Sequence, residues 1–295
     1  MDWLFQFPQL NSDLLLAAKR SIDGSLRALT RSYGASIENF FQPLSHVLVF
    51  FENLMTGAPW PLTLLALAAI AWFASRNTRV VLVTVLAMLA IGFIGLWNDT
   101  MMTISLVLTA TLFAIAIGIP LGIGMNRHQR AGKAMQAVLD VMQTMPPFVY
   151  LIPVVMLLGI GRVPGFIAVV IYAIPPIIRL TDLGIRLVDK EVLEAADAYG
   201  CSRSQKLWKV QIPLAMPTIM AGINQTIMMA LGMVVIASMI GVQGLGLNVL
   251  QAIANQYFTQ GILNGFAIVG IAIIFDRISQ AYGHRLQKHR GAQHD

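Results

Sequence analysis

The stretch from Leu187 to Pro213, LVDKEVLEAADAYGCSRSQKLWKVQIP, is a charged interruption between two long apolar segments. No other interruption in the apolar part of the chain holds as many charged side chains. Six basic and five acidic residues lie within it or just ahead of it: Arg179, Arg186, Lys190, Arg203, Lys206, Lys209, Asp182, Asp189, Glu191, Glu194 and Asp197. This length and charge exceed what a simple tether needs. We therefore interpret the stretch as a docking element.

The composition places most of the chain in a membrane. Of its 295 residues, 57% are hydrophobic and 12% are charged, against a charged fraction of about 25% in soluble domains. The net charge of +6 comes from short basic clusters between apolar runs. This is the pattern of membrane topology and not of a nucleic-acid-binding face. The single cysteine, Cys201, excludes an intramolecular disulfide and offers no metal-ligand spacing, so we expect neither a metal nor a cofactor.

Seven apolar segments approach the ~20 residues that cross about 30 Å of hydrocarbon. They are residues 59–75, 80–97, 101–125, 134–160, 163–180, 216–241 and 261–281. The prediction is an all-α polytopic membrane protein with about seven transmembrane helices. Several of the segments contain prolines, and we expect the pairs Pro146–Pro147 and Pro175–Pro176 to break the fourth and fifth spans. The spacing Gly118-xxx-Gly122 permits close helix approach.

The segment before the first span has a different pattern. Apolar residues between 37 and 55 recur at three- and four-residue steps with polar residues between them. This predicts an amphipathic helix lying in the membrane interface. A first span is the alternative, but a charged residue such as Glu52 costs at least roughly 2.5 kcal/mol at mid-bilayer. Residues 1–58 are therefore interpreted as an external tail that ends in an interfacial helix.

The distribution of lysine and arginine sets the orientation. Basic clusters occupy alternate connections: Arg76 and Arg79; Arg127, Arg130 and Lys133; the opening stretch; and Arg277, Arg285, Lys288 and Arg290. The connections at 98–100, 161–162 and 242–260 hold a single basic residue, Arg162. Since basic loops stay in the cytoplasm, the N-terminus is predicted outside and the C-terminus inside. Residues 284–295 then form a cytoplasmic basic tail.

Capping signals predict a shape for the opening stretch. Asp189 can cap a helix over 190–199, and Gly200 supplies the left-handed residue that ends it. Ser202 and Gln205 have the spacing of a capping box, which predicts a second short helix whose exit into the sixth span is marked by Pro213 and Pro217. The first helix carries an apolar stripe that suits a groove on another protein: Val192, Leu193, Ala196 and Tyr199. An amphipathic connector folded back on its own bundle is the alternative.

The residues of this stretch favour docking over that alternative. They read Glu194-Ala195-Ala196, three residues, Gly200, nine residues, then Val210-Gln211-Ile212-Pro213. This resembles the EAA motif of ABC importer permeases, EAA-x3-G-x9-I-x-L-P, with Val for Ile at 210 and Ile for Leu at 212. Segments 143–153, 171–180 and 217–227 look like the permeases of the glycine betaine, proline betaine and choline family. The resemblance covers about residues 59–283.

The resemblance implies a type I ABC importer permease fold. Residues 98–283 would form its transmembrane core, residues 59–97 two peripheral helices, and residues 187–213 the coupling helices. The expected partners are a second permease copy in a homodimer, a cytoplasmic ABC ATPase pair and an external substrate-binding protein. The coupling residues would be Glu194, Ala195, Ala196, Gly200, Val210, Ile212 and Pro213. The chain holds no G-x-x-x-x-G-K-[ST] motif, so nucleotide binding falls to a partner and the chain is not expected to be an enzyme.

The resemblance also directs attention to a solute pathway. A quaternary ammonium cannot donate a hydrogen bond and is best held by aromatic faces. Tyr150 and Tyr172 are candidates, although the aromatic residues of these spans look scattered in the sequence. Asn224 and Gln225, inside the sixth span, either line the path or bond across helices. Asp276 and Arg277, late in the last span, are interpreted as interface anchors or as partners of neighbouring residues.

The predicted function is therefore ATP-driven import of quaternary amine compatible solutes across a bacterial inner membrane. An ABC importer for another small solute, such as an amino acid, is the main alternative because the EAA motif reports coupling and not cargo. A secondary transporter would need ion-coupling carboxylates deep in the spans or repeated half-domains, and neither is visible. An intramembrane enzyme is disfavoured because all five histidines lie outside the predicted spans.

Overall fold

The computed structural model describes residues 11–291, and this part of the chain is helical, without a strand. Its elements in order are α1 (Ser12–Gly57), α2 (Trp60–Ser75), α3 (Thr78–Phe93), α4 (Trp97–Arg127), α5 (Gln129–Thr144), α6 (Pro147–Leu158), α7 (Arg162–Arg186), α8 (Lys190–Ala198), α9 (Arg203–Gln205), a π-helical turn (Lys206–Gln211), α10 (Ile212–Ala237), a 3-10 turn (Ser238–Ile240), α11 (Leu245–Asn255) and α12 (Phe258–Gly291).

Helix α7 is the centre of the bundle. It packs against both α4 and α10, and it contributes Phe166, Ile177 and Ile185 to the most deeply buried large side chains. Helices α2, α3 and α12 pack against one another at the periphery of this core. The arrangement places α10, which follows the opening stretch directly, in contact with the most buried helix of the molecule.

Two glycines allow α4 to approach α7 closely. A Cβ built on Gly122 would lie 2.7 Å from the carbonyl oxygen of Ile178, and one on Gly118 would overlap the side chain of Ile177. A helix with larger residues at these positions could not pack at this distance. The predicted role of the Gly118-xxx-Gly122 spacing is confirmed.

The predicted spans correspond to helices of unequal length. Four helical segments of the described chain are long and apolar enough to cross a membrane alone: Trp97–Arg127, Arg162–Arg186, Arg203–Ile240 and Phe258–Gly283. Two bent pairs raise the number to six, and Thr78–Phe93 is a shorter apolar helix. The segment predicted as a span over 134–160 is bent, since Arg130–Thr144 and Pro147–Leu158 meet at an angle of 102°, and the interruption expected at Pro146–Pro147 is confirmed.

Pro146 and Pro147 explain that bend, whereas the expectation for the second proline pair is corrected. Pro146 is extended (φ −57°, ψ 140°) and Pro147 begins α6, because proline disfavours a helical conformation in the residue before it and is well suited to the first helical turn. Pro175 and Pro176, by contrast, lie inside the continuous helix α7 and are buried. The prediction that they break the fifth span is wrong, since packing on α4 and α10 retains the helix across them.

Helix α1 is longer than the predicted amphipathic segment. It is continuous over Ser12–Gly57, so the helix includes most of what the sequence suggested as a mixed tail. Leu48 is buried in the main apolar cluster, with Leu44 and Met55 packed against that cluster. Its last part meets α2 at 107°. The predicted apolar face therefore packs on the bundle through Leu44 and Leu48.

The alternate connections lie at opposite ends of the bundle, as the charge pattern predicts. At the end with few basic residues, Gly161 N–H donates to the carbonyl of Ile240 (2.8 Å), and Arg162 bonds Glu52 (2.8 Å) and Gln243 (3.1 Å). At the basic end, the Arg285 guanidinium donates to the carbonyl of Phe73 (2.9 Å). Connections that the sequence assigns to one side of the membrane thus meet in space.

Candidate functional site

The first arm of the opening stretch is a capped helix. The Asp189 carboxylate accepts from the backbone N–H of Glu191 (3.0 Å), and α8 runs from Lys190 to Ala198. Gly200 follows with φ +73°, and the N–H of Cys201 returns to the carbonyl of Ala196 (3.0 Å). This is the left-handed glycine ending that the sequence predicts. The helix ends one residue before the predicted Tyr199.

The second arm begins as predicted and ends differently. Ser202 and Gln205 form both bonds of the capping box: Ser202 N–H to Gln205 Oε1 (2.8 Å) and Gln205 N–H to Ser202 Oγ (3.3 Å). The predicted end of this helix before the sixth span is wrong, since the helix continues through a π-helical turn into α10. In that turn the N–H of Ile212 bonds the carbonyl of Leu207 five residues back. Pro213 follows this turn, in the first turn of α10, and helices commonly depart from regular α geometry at a proline.

The two arms form one projecting unit. Lys206 Nζ lies 2.6 Å and 2.7 Å from the two carboxylate oxygens of Asp197, which ties the π-helical turn to α8. Large apolar side chains stay exposed on this unit, with Val192 at 41%, Trp208 at 61% and Tyr199 at 91%. Surface exposure of several large apolar groups together marks an interaction site. We call residues 187–213 the coupling loop, after the role that the resemblance implies for them.

The motif residues divide between its outer surface and its base. Glu194, Ala195 and Gly200 are exposed, whereas Ala196 is 8% exposed and faces its own chain. The predicted apolar stripe is therefore corrected at Ala196, which permits α8 to pack closely and is not available to a partner. Val210 and Ile212 are half-buried and Pro213 is exposed. The first half of the motif thus faces outward, and the second half joins the loop to α10.

The two candidate tyrosines of the pathway lie together. The rings of Tyr150 on α6 and Tyr172 on α7 are 5.6 Å apart at 77°, an edge-to-face pair. The expectation of scattered aromatic residues is wrong at this pair, because the bend before α6 brings it against α7. The hydroxyl of Tyr150 donates to the carbonyl of Met142 on α5, so this side chain also bridges the bend. Tyr150 is buried and Tyr172 is half-buried.

The other two pathway candidates lie elsewhere. Asn224 Nδ2 donates to Asp276 Oδ1 (3.0 Å), and Asn224 Oδ1 accepts from Ser279 Oγ (2.6 Å). Asn224 therefore forms a hydrogen bond between α10 and α12, which is one of the two roles expected for it. Asp276 is its partner, in agreement with the interpretation of Asp276 as a partner of neighbouring residues. Gln225 is exposed. Both amides line a cavity whose walls include neither tyrosine.

Sequence reasoning missed a polar network at the other end of the bundle. Asn248 Nδ2 on α11 donates to Asp99 Oδ2 (2.7 Å) on α4 and contacts Asn264 Oδ1 (3.1 Å) on α12. Thr103 Oγ1 accepts from the backbone N–H of Leu245 (3.0 Å). These contacts fix α11 between α4 and α12. Their members lie up to 149 residues apart along the chain, so no local pattern marks them.

A family model described as "Binding-protein-dependent transport system inner membrane component" matches residues 114–288. The match includes the whole coupling loop and the helices α7 and α10 on either side of it. The chain belongs to this family. It is a multi-pass membrane subunit of a binding-protein-dependent ABC importer and a transport protein, so ATP hydrolysis and solute capture belong to partner subunits.

Three named permeases are similar to this chain over most of its length. The chain is 51% identical over 241 residues to the glycine betaine/proline betaine transport system permease protein ProW of Escherichia coli (strain K12), covering 82% of this chain and 68% of that protein. It is 48% identical over 229 residues to the glycine betaine/carnitine transport permease protein GbuB of Listeria monocytogenes, covering 77% and 81%. It is 42% identical over 263 residues to the glycine betaine transport system permease protein OpuAB of Bacillus subtilis, covering 88% and 92%.

Among solved structures, an inward-facing form of the MetNI methionine ABC transporter matches with a TM-score of 0.57. The match covers 65% of this chain and 95% of that chain at 18% identity. At this identity the likeness concerns the fold alone. The chain has the type I ABC importer permease fold that the resemblance implied.

Proposed function

We propose that the chain forms the membrane pathway of an ATP-driven importer for quaternary amine compatible solutes: glycine betaine, proline betaine or choline. The observation that carries the proposal is the similarity to three permeases whose names include glycine betaine, at 42% to 51% identity over 77% to 88% of this chain. The bacterial inner membrane is its location, with the N-terminus outside and the C-terminus inside. Residues 98–283 are the transporting core, and residues 59–97 are peripheral.

The coupling loop is proposed to dock on the ATPase. Its exposed side chains stand on a corner that two local devices hold in shape, the left-handed Gly200 and the Lys206–Asp197 ion pair. Its second arm is continuous with α10, and α10 packs against α7. A push on the loop is therefore transmitted as movement of a whole helix against the centre of the bundle. This mechanical connection supports a coupling role for Glu194, Ala195 and Gly200.

The pathway is proposed to form between two copies of the chain, each contributing the Tyr150–Tyr172 pair. Edge-to-face rings present both an aromatic face and an edge, and a trimethylammonium group gains about 1 kcal/mol or more from an aromatic face. Tyr172 is the more accessible of the two rings. Selection of the solute belongs chiefly to the external binding protein, and the pair offers a weak site that a solute can leave.

We expect Tyr172→Leu to lower uptake of glycine betaine about fivefold, the equivalent of one cation–π contact of about 1 kcal/mol. Tyr172→Phe keeps the ring and should keep uptake. Radiolabelled uptake into proteoliposomes, with equal amounts of reconstituted complex, measures both. Equal loss in the two variants would assign the effect to the hydroxyl and remove the aromatic contact from the proposal.

The solute class has its own test. In proteoliposomes holding the permease, its ATPase and its binding protein, we expect ATP hydrolysis to rise above the basal rate with glycine betaine, proline betaine or choline. A quaternary amine engages the binding protein, which then closes on the permease and triggers the ATPase. Sulfate and an ordinary amino acid such as methionine serve as controls. Stimulation by a control solute alone would contradict the solute class and leave the importer role intact.

A further inference from the structure

Asp276 is an acidic residue inside the apolar segment Phe258–Gly283 of α12. Its Oδ1 accepts two amide N–H groups, from Asn224 (3.0 Å) and Gln280 (2.7 Å). Among the residues whose side chains the structure describes, no lysine, arginine or histidine forms an ion pair with it. Amide donors bring no positive charge to a carboxylate. Asp276 lies near the end of the predicted span 261–281, so the ammonium group of a lipid head group can reach its carboxylate.

The carboxylate adjoins an open cavity between α10 and α12. The cavity measures about 240 Å³ and is lined by Pro217, Met220, Ala221, Asn224, Gln225, Ser279, Gln280 and Gly283. Its amides and hydroxyl can donate to an anionic oxygen as well as accept from a cation. Within the described chain no group of three His, Cys, Asp or Glu residues could hold a metal ion. An organic ammonium group can pair with the carboxylate, and an adjoining phosphate can accept from the exposed amide groups of Gln225 and Gln280.

An apolar stripe leads away from Asp276 along α12. Ile262, Phe266, Val269 and Ile273 are 39%, 70%, 52% and 44% exposed. Together with Asp276 and Gln280 they repeat at steps of four and three, so all of them lie on one helix face. From Asp276 to Phe266 the helix rises about 15 Å at 1.5 Å per residue. That is half of the roughly 30 Å hydrocarbon layer, the depth of one leaflet.

We propose that this face binds an aminophospholipid of the phosphatidylethanolamine type. The primary ammonium pairs with the Asp276 carboxylate, the phosphate accepts from the exposed amides of Gln225 and Gln280, and an acyl chain lies along Ile273, Val269 and Phe266. Charge complementarity and the one-leaflet length of the stripe select this occupant. In the proposed orientation, with the C-terminus inside, this face lies in the cytoplasmic leaflet. The lipid class does not depend on that orientation.

Native mass spectrometry of the delipidated full-length chain tests the lipid class. Dioleoyl phosphatidylethanolamine and dioleoyl phosphatidylcholine, offered in equal amounts, differ only in the N–H donors of the ammonium. We expect retention of phosphatidylethanolamine about tenfold above phosphatidylcholine, the smallest effect of one hydrogen bond to a charged group. Asp276→Asn should equalise the two lipids and Asp276→Glu should keep the preference. Equal retention by the unmodified chain would overturn the proposal without bearing on the solute class.

Two further experiments distinguish a bound lipid from other occupants of this face. Water-soluble glycerophosphoethanolamine has the head group without acyl chains, and we expect it to compete poorly. Effective competition would assign the site to a free amine and overturn the lipid proposal. Phe266→Asn should lower retention of both lipids. In a Cys201→Ser background, disulfide formation between Val269→Cys residues of two copies would show that the stripe is a subunit interface, which would also overturn the proposal.

Discussion

Gly200→Val is expected to abolish ATP-driven uptake while the permease stays folded in the membrane. Gly200 has φ +73°, and a Cβ built on it meets no atom within 4 Å. The substitution therefore causes no clash. It imposes a left-handed conformation that costs an ordinary residue about 1–2 kcal/mol and a β-branched one more. The corner relaxes to another geometry, and the two arms of the coupling loop lose their relative positions.

Glu194→Arg should have the same result by a different route. Glu194 is exposed on α8, so reversal of its charge leaves the fold unchanged and alters the surface offered to the ATPase. Like charges brought together at a docking surface cost several kcal/mol. Uptake into proteoliposomes, with ATP hydrolysis measured in parallel, should show that the solute no longer stimulates hydrolysis in either variant.

Gly95→Val is the matched control for the glycine substitution. Gly95 has φ +86° with no atom within 4 Å of a built Cβ, and it precedes α4 at the end of the bundle that holds few basic residues. Its substitution causes the same kind of backbone strain at the far end from the coupling loop. Normal uptake with Gly95→Val alongside lost uptake with Gly200→Val assigns the effect to docking. Normal uptake in both Gly200→Val and Glu194→Arg would remove the docking role.

The sequence predicts this corner well because its determinants are local. The Asp189 cap, the Gly200 ending and the Ser202–Gln205 capping box each involve residues within six positions of one another, and each satisfies backbone groups that a helix end leaves free. Such devices need no tertiary context. The coupling loop could therefore be drawn from its residue types before its place in the bundle was known.

The outcome at the prolines shows where local reasoning stops. Pro146–Pro147 ends a helix, whereas Pro175–Pro176 lies within one. The difference lies in the surroundings, because the second pair is buried where α7 packs on both α4 and α10. The outcome at Pro213, where a π-helical turn keeps the helix continuous, likewise could not be read from the local sequence. Sequence alone does not report which prolines the neighbouring helices will accommodate.

The partners in long-range polar contacts are the other feature that the sequence did not identify. Glu52 and Arg162 are 110 residues apart, and Asn224 and Asp276 are 52 apart. Each residue could be recognised as unusual in an apolar chain, and Glu52 was used only as an argument against a first span. Its partner became apparent once α1 was seen to pack against the start of α7.

Gly122→Val is expected to destabilise the bundle itself. A Cβ at this position would lie 2.7 Å from both the Ile178 carbonyl oxygen and the Thr181 Cβ. The carbonyl belongs to the backbone of the most buried helix, so α4 and α7 must move apart to relieve the contact. Overpacking of a core costs about 1–3 kcal/mol, and a contact with rigid backbone places this variant at about 3 kcal/mol. A shift of that size lowers the melting temperature by about 6 to 12 °C.

Gly124→Val provides the comparison on the same helix. A Cβ at Gly124 meets no atom within 4 Å, so both variants replace a helical glycine with valine and differ only in the clash. Melting temperatures of the detergent-solubilised chain, followed by loss of the monodisperse peak on size exclusion, should fall for Gly122→Val and stay within about 2 °C for Gly124→Val. Equal melting temperatures would mean that α4 and α7 do not approach this closely. A push from the ATPase on α10 would then not reach α4 through α7, because a helix moves its neighbours only where packing leaves no room to yield.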